Sequence, residues 1–251
     1  MISPPYRYTA IALVAGAMLL SALFFYSSNR CPDDAFISLR YARNLAEGEG
    51  LCFNPGGERV EGFSSPLHVM LMGAAIFLGA DPLQVSQFSS IFGAVLCVVA
   101  VAWWGQRRLG FWWGTFAALA VALNPSVGTW ARGGLESTIF MALVVMALIA
   151  AAEEKWKTMA ILAGLLALTR PEGPLYWLPL FLYALFVLRR DYRALRTPIL
   201  LTLGTYLPWF IFRVLYFHDI LPNTYYAKMD GVRAAQTRRG LDLSGRVPRQ
   251  E

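Results

Sequence analysis

The chain has 251 residues, of which 57% are hydrophobic and only 15% charged, with a net charge of +6 and a mean hydropathy of +0.47. A soluble domain carries about 25% charged residues, so little of this sequence is left to enclose a soluble core. The basic excess does not mark a nucleic-acid binder, because its Lys and Arg form no stripe interleaved with aromatics; they sit in short clusters between uncharged runs, as the positive-inside rule places them in cytoplasmic loops.

In chain order, Arg7 precedes an apolar run at 8–26 that is too long for a signal-peptide core and is followed by no small-residue cleavage site. It reads as an uncleaved first span with a cytoplasmic N-terminus. A polar stretch at 27–65 follows, and then apolar runs at 66–80, 88–104, 111–123, 138–152, 158–169, 174–188 and 198–217. The basic loops between them are Arg107-Arg108, 153–157 and 189–196. If 66–80 were a span, Arg107 and Arg108 would fall outside; if it is not, every basic loop falls inside. At 1.5 Å per residue this run reaches about 22 Å, short of a roughly 30 Å hydrocarbon core. It is therefore expected to lie at or dip into the outer interface, with Ser65 as N-cap and Pro66 at the first helical position. The expected fold is an all-α membrane protein with about seven transmembrane helices plus membrane-lying helices in the first outer loop. Residues 1–228 form the transmembrane module, with the first outer loop at 27–83, and 229–251 a polar, disordered tail.

Of the three cysteines, Cys97 lies inside an apolar run and reads as packing. Cys31 and Cys52 flank one polar loop; they can pair if that loop faces an oxidising compartment, and the plainer reading is two unrelated small residues. The adjacent acids Asp33 and Asp34 follow the first span. Neighbouring carboxylates repel and resist desolvation, so one is suited to serve as a general base and the other to cap the next helix or help hold a divalent ion; the plainer reading is two acids at a helix N-terminus. The helix expected at 35–47 places Ala35, Leu39, Ala42 and Leu45 on one face, with Arg40, Arg43, Asn44 and Glu47 on the other, and Gly48 stops it. His68, alone on the next helix, reads as structural. Arg132 with Glu136, and Arg170 with Glu172, stand at helix ends on the outer side, where charge at membrane depth marks a functional site or the pairs neutralise each other. Lys228 adds a further cation. The acids suit activation of a hydroxyl, and the arginines suit a phosphate.

The run from Asp33-Asp34-Ala35-Phe36-Ile37 to Arg40-Tyr41-Ala42, then Gly48-Glu49-Gly50-Leu51, Phe53-Asn54-Pro55-Gly56 and Val60-Glu61-Gly62-Phe63-Ser64-Ser65-Pro66-Leu67, resembles the GT-C integral membrane glycosyltransferases. Within them it is most similar to the branch that includes the terminal arabinofuranosyltransferases of mycobacterial cell walls and their relatives in other bacteria. Arg132-Gly133-Gly134-Leu135-Glu136-Ser137, Thr169-Arg170-Pro171-Glu172-Gly173 and Pro222-Asn223-Thr224-Tyr225-Tyr226-Ala227-Lys228 look like later blocks of that branch. The resemblance implies transfer of a sugar from a polyprenyl-phosphate donor to a cell-envelope glycan or glycolipid acceptor, on the outer face of a bacterial plasma membrane. Asp33 would be the base, supported by Asp34; Arg40, Arg132, Glu136, Arg170, Glu172 and Lys228 would bind substrate. The expected partners are membrane lipid, donor and acceptor, not nucleic acid. No cofactor is fixed by the sequence, and a divalent metal is left open. Such enzymes resemble larger proteins, against which this chain reads as C-terminally truncated. The alternatives are an inactive module or assembly partner, and a polytopic transporter.

Overall fold

The computed structural model describes residues 8, 10, 11, 14–16, 18, 32–189 and 191–223. Cys31, Lys228 and the expected tail at 229–251 lie outside these described residues. Among them, the regular elements are all helical. The helices are α1 (Asp33–Ala46), α2 (Pro66–Phe77), α3 (Pro82–Arg108), α4 (Phe111–Ala122), α5 (Pro125–Trp130), α6 (Ser137–Ala152), α7 (Trp156–Thr169), α8 (Trp177–Val187) and α9 (Tyr192–Phe217), with a 3-10 turn at Gly173–Tyr176 leading into α8. Two of them, α3 with 27 residues and α9 with 26, are long and apolar enough to cross a membrane. Helices α4, α6, α7 and the Gly173–Val187 segment are apolar but shorter, as is α2.

Side-chain contacts fix the direction of each long element. Thr138 Oγ1 donates to the Ser90 carbonyl at 2.6 Å, and Trp104 Nε1 donates to Glu153 Oε1 at 2.9 Å, so α3 and α6 run parallel. Helix α4 turns back on α3, with Gln106 Nε2 donating to Thr115 Oγ1 at 3.0 Å. Helix α7 returns along α6, its end meeting the start of α6 where Arg170 reaches Glu136. Trp177 Nε1 donates to the Ala163 carbonyl while the Tyr183 ring lies against Trp156, so α8 runs antiparallel to α7; Thr202 Oγ1 donates to the Ala160 carbonyl while Thr205 meets Gly164, so α9 runs parallel to it. Six helices thus alternate between two ends of one bundle. The loops at 107–110 and 153–157 and residues 188, 189 and 191 share one end, where Arg108 Nη2 binds Glu153 Oε1 at 2.8 Å. Helices α1 and α2 lie at the other end. The expectation that the basic loops share a side agrees with this arrangement.

The bundle is small inside and large outside. Its buried contacts are made mostly by alanine, among them Ala94, Ala102, Ala118, Ala147, Ala160, Ala163 and Ala184. A Cβ on Gly93 would stand 2.5 Å from the Ile139 nitrogen, so those two backbones nearly touch, and one on Gly164 would stand 2.5 Å from Thr205 Cβ. Outward, Trp112 is 76% exposed and Phe186 81%, and many other large apolar side chains share that surface. Close crossings at small residues are how helices associate when the surroundings are themselves apolar, and an exposed apolar surface this extensive is foreign to soluble monomers.

Helix α1 begins at Asp33, so both acids stand in its first turn; the N-cap is Pro32 and neither acid supplies a capping bond. Gly48, with φ of +85°, follows the helix end as expected. Ser65 Oγ accepts from the His68 amide and Pro66 occupies the first turn of α2, also as expected. Asn44 departs from the exposed face assigned to it. It is buried, because its amide donates to the carbonyls of Cys52 (2.8 Å) and Phe53 (3.1 Å) and thereby ties the following loop to α1.

That loop is anchored to the far end of the chain. Tyr41 Oη donates to the Val60 carbonyl and accepts from the Gly62 amide. Phe63 packs against Tyr41, Trp209 and Phe217. Between them Glu61, 0% exposed, meets Arg213, 6% exposed: Nε lies 2.7 Å from Oε2, and Nη2 donates to Oε1 at 3.1 Å. A charge left alone in such a site has neither water nor partner. Removing one member of a buried pair costs about 3–5 kcal/mol, whereas replacing both can be nearly neutral. Glu61→Gln and Arg213→Met should therefore each lower the unfolding free energy in detergent by about that amount, and the double variant should lose clearly less than the sum. Additive losses in a double-mutant cycle would count against the pair as the anchor.

Candidate functional site

Where α1 meets the ends of α6 and α7, a cleft of about 190 Å³ opens at the end of the bundle away from the basic loops. Helix α1 contributes Asp34, Ile37 and Ser38; the anchored loop contributes Gly62, Phe63 and Ser64; α5 contributes Trp130. Leu135, Glu136 and Ser137 enter from the start of α6, and Arg170 from the end of α7.

The turn that carries Glu136 is held by the helices beneath it. Ser86 Oγ donates to the Gly134 carbonyl at 2.6 Å, and Ser90 Oγ donates to the Leu135 carbonyl at 2.8 Å. His68 reaches the same Gly134 carbonyl with Nε2 at 3.3 Å. A carbonyl only accepts, so Nε2 carries a proton in this contact. Gly134 itself has φ of +67°, a left-handed conformation natural to glycine. Three donors from two helices thus fix two successive carbonyls, and Glu136 follows directly.

Arg170 is the electrostatic centre of the cleft. Its Nη1 donates to Glu136 Oε1 at 3.0 Å and to Ser137 Oγ at 3.4 Å, and its Nε donates to Glu172 Oε1 at 2.6 Å. The guanidinium also lies 5.9 Å from the centroid of Phe140. Burial pushes the Glu136 carboxyl above its usual range; a backbone hydrogen bond and Arg170 pull it down, while Glu172 and Asp34 push it up again. The Asp34 carboxylate is therefore close enough to be felt at Glu136. Three acids and one arginine make the described part of this cleft net negative.

The expected site residues separate accordingly. Asp34, Glu136 and Arg170 line one cleft, and Glu172 joins them through Arg170. Asp33 is exposed in the same helical turn but does not line the described cleft wall. Arg40 is engaged elsewhere: Nε donates to the Phe53 carbonyl at 2.9 Å, Nη2 to Asn54 Oδ1 at 3.4 Å, and its guanidinium lies 5.3 Å from the centre of the Phe53 ring. Arg132 is half-buried in the turn before Gly133, off the described wall. Trp130 and Ser38, which sequence reasoning did not single out, are on the wall. Among the described residues, no three His, Cys, Asp or Glu side chains are grouped to hold a metal ion, so this donor set does not fit one. Comparison of the chain with family models, with curated proteins and with solved structures gives no match in any of the three.

His68 gives the site a pH signature. Burial pushes its imidazole down to about 4, opposed by the hydrogen bond to Gly134. A base with a depressed folded pKa binds its proton more readily when unfolded. Its contribution to stability is thus complete above about pH 6.5, the unfolded value, and is lost as pH falls from there toward 4. Unfolding in detergent should become easier by up to about 3 kcal/mol across that window, and His68→Gln should flatten that part of the profile. An unchanged slope in the variant would reject His68 as the source.

Proposed function

We propose that the chain is the membrane module of a glycosyltransferase of the GT-C kind, moving a sugar from a polyprenyl phosphate to an acceptor hydroxyl on the outer face of a bacterial plasma membrane. One observation carries this reading: Asp34 and Arg170 line the same cleft, at the end of the bundle opposite the basic loops. With those loops cytoplasmic, the N-terminal segment and six bundle helices are read as the seven spans, α2 lies along the outer interface, and the cleft opens outward.

The chemistry follows from the wall. Asp34 accepts the proton of the acceptor hydroxyl as its oxygen attacks the anomeric carbon. The bond from that carbon to the phosphate oxygen breaks, and the departing polyprenyl phosphate gains negative charge that the Arg170 guanidinium is placed to stabilise. Buried Glu136 holds Arg170 in position. Trp130, 45% exposed at the rim, offers an aromatic face to a sugar. Asp34 replaces Asp33 as the base in this reading, because it is the acid on the cleft wall. Arg132 and Lys228 remain candidate phosphate contacts.

Asp34→Asn keeps the size and removes the base. Transfer of labelled sugar from a polyprenyl-phosphate donor in membranes should fall by about a hundredfold or more, with expression intact and a smaller effect from Asp33→Asn. Normal transfer by both variants would sink the assignment. Donor binding without transfer by the parent chain would favour the inactive-module reading. Orientation has its own check: cysteines introduced at Arg107, Lys155 and Arg193 should react only from the cytoplasm, and those at Asn54 and Ser126 only from outside. Labelling of Arg107 from outside would invert the parity on which the proposal stands.

A further inference from the structure

We propose a second binding site, at the end of the bundle opposite the cleft, that takes the phosphate head of an anionic phospholipid. It rests on the reading of the bundle as a membrane protein and not on the transferase activity. A groove of about 460 Å³ lies there between the first turns of α7 and α9. Lys155, Lys157 and Thr158 line one side, and Ala194, Thr197 and Pro198 the other.

Charge selects the ligand. Lys155 and Lys157 are exposed on the groove, and Arg193 stands one helical turn before Thr197. Glu154 is the acid on the described wall; its neighbour Glu153 is already engaged by Arg108 and Trp104. An anion entering the groove therefore meets an excess of cations, together with the hydroxyls of Thr158 and Thr197. Pro198 has no N–H to offer the Ala194 carbonyl, which leaves an acceptor near the groove suited to a head group carrying hydroxyls.

Position selects a lipid over a soluble anion. The groove opens where the apolar sides of the same two helices begin: Ile161 is 42% exposed one turn along α7, and Ile199 and Leu200 are exposed just beyond Pro198. Half-buried Trp156 stands at this boundary, where indoles favour the membrane interface. A lipid phosphate held by the lysines would thus lay its acyl chains along existing apolar surface. Basic pockets between helices on the cytoplasmic side are a recurring form of acidic-lipid recognition.

The test is native mass spectrometry of the full chain in detergent, offered equal amounts of phosphatidylglycerol and phosphatidylcholine with matched acyl chains. The parent should retain phosphatidylglycerol about tenfold over phosphatidylcholine. Lys155→Gln/Lys157→Gln should bring the ratio near one, and each single Lys→Gln should give an intermediate value. Lys155→Arg/Lys157→Arg should keep the preference. Arg107→Gln/Arg189→Gln removes as much charge from the same end but outside the groove, and should also keep it. Equal loss in that control would mean diffuse surface charge and overturn the site. Displacement of the lipid by millimolar inorganic phosphate would make the ligand a soluble anion and overturn the lipid assignment. If the double Gln variant aggregates on gel filtration, the single variants decide: an unchanged ratio in both would reject the proposal. A chain that stays monodisperse without detergent would reject the membrane reading and this site together.

Discussion

At Gly93, helix α3 lies against the start of α6 with no side-chain volume between them, and the geometry of the cleft descends from that contact. Because the two backbones nearly touch, the hydroxyls of Ser86 and Ser90 reach carbonyls of the turn above, and Thr138 reaches back to α3. The turn is thereby fixed, and with it Glu136 and, through Glu136, the guanidinium of Arg170. The same device recurs at Gly114 against the backbone of Gly105 and Gln106, where α3 and α4 meet. Side chains in such a bundle have little to fill inside, so the large apolar ones point outward. Inner closeness and an apolar exterior are two sides of one packing solution.

Charge is divided along the axis of this bundle. One end carries arginines and lysines in its loops; the other carries Asp34, Glu136 and Glu172 around a single arginine in the described cleft. The two carboxylates on Arg170 differ in setting: the Glu136 side chain is 6% exposed and that of Glu172 44%. The guanidinium is thus held from beneath by a buried acid and covered from above by a solvated one. Its outward edge is the part that can exchange partners with solvent, and its depth in the cleft stays fixed.

Much of this was legible in the sequence because it follows from local rules. Ser65 and Pro66 announce the start of α2, Gly48 the end of α1, and the spacing of apolar runs gives the helices. The common end of the basic loops follows from their parity. What was not legible depends on long-range partners. Asn44 is polar and lies on the side of the helix assigned to solvent, yet two loop carbonyls make burial favourable. Asp33 and Asp34 are adjacent and chemically alike; only the packing of α1 against α2 and α3 puts one of them on the wall. Arg40 looks like a phosphate ligand until the Phe53 carbonyl is placed beside it. The signal that went unread was Arg213, an ionisable residue deep in an apolar run, where an acidic partner is the expected companion.

That partner, Glu61, precedes it by 152 residues. At about 5–20 residues per second, the ribosome needs roughly ten to thirty seconds to travel from one to the other. During that interval the loop after α1 has been made but lacks both its counter-charge and the aromatic floor of Trp209 and Phe217. Assembly of the end that carries the cleft therefore waits on α9, and a nascent chain arrested before Arg213 presents an unsealed loop carrying an uncompensated acid.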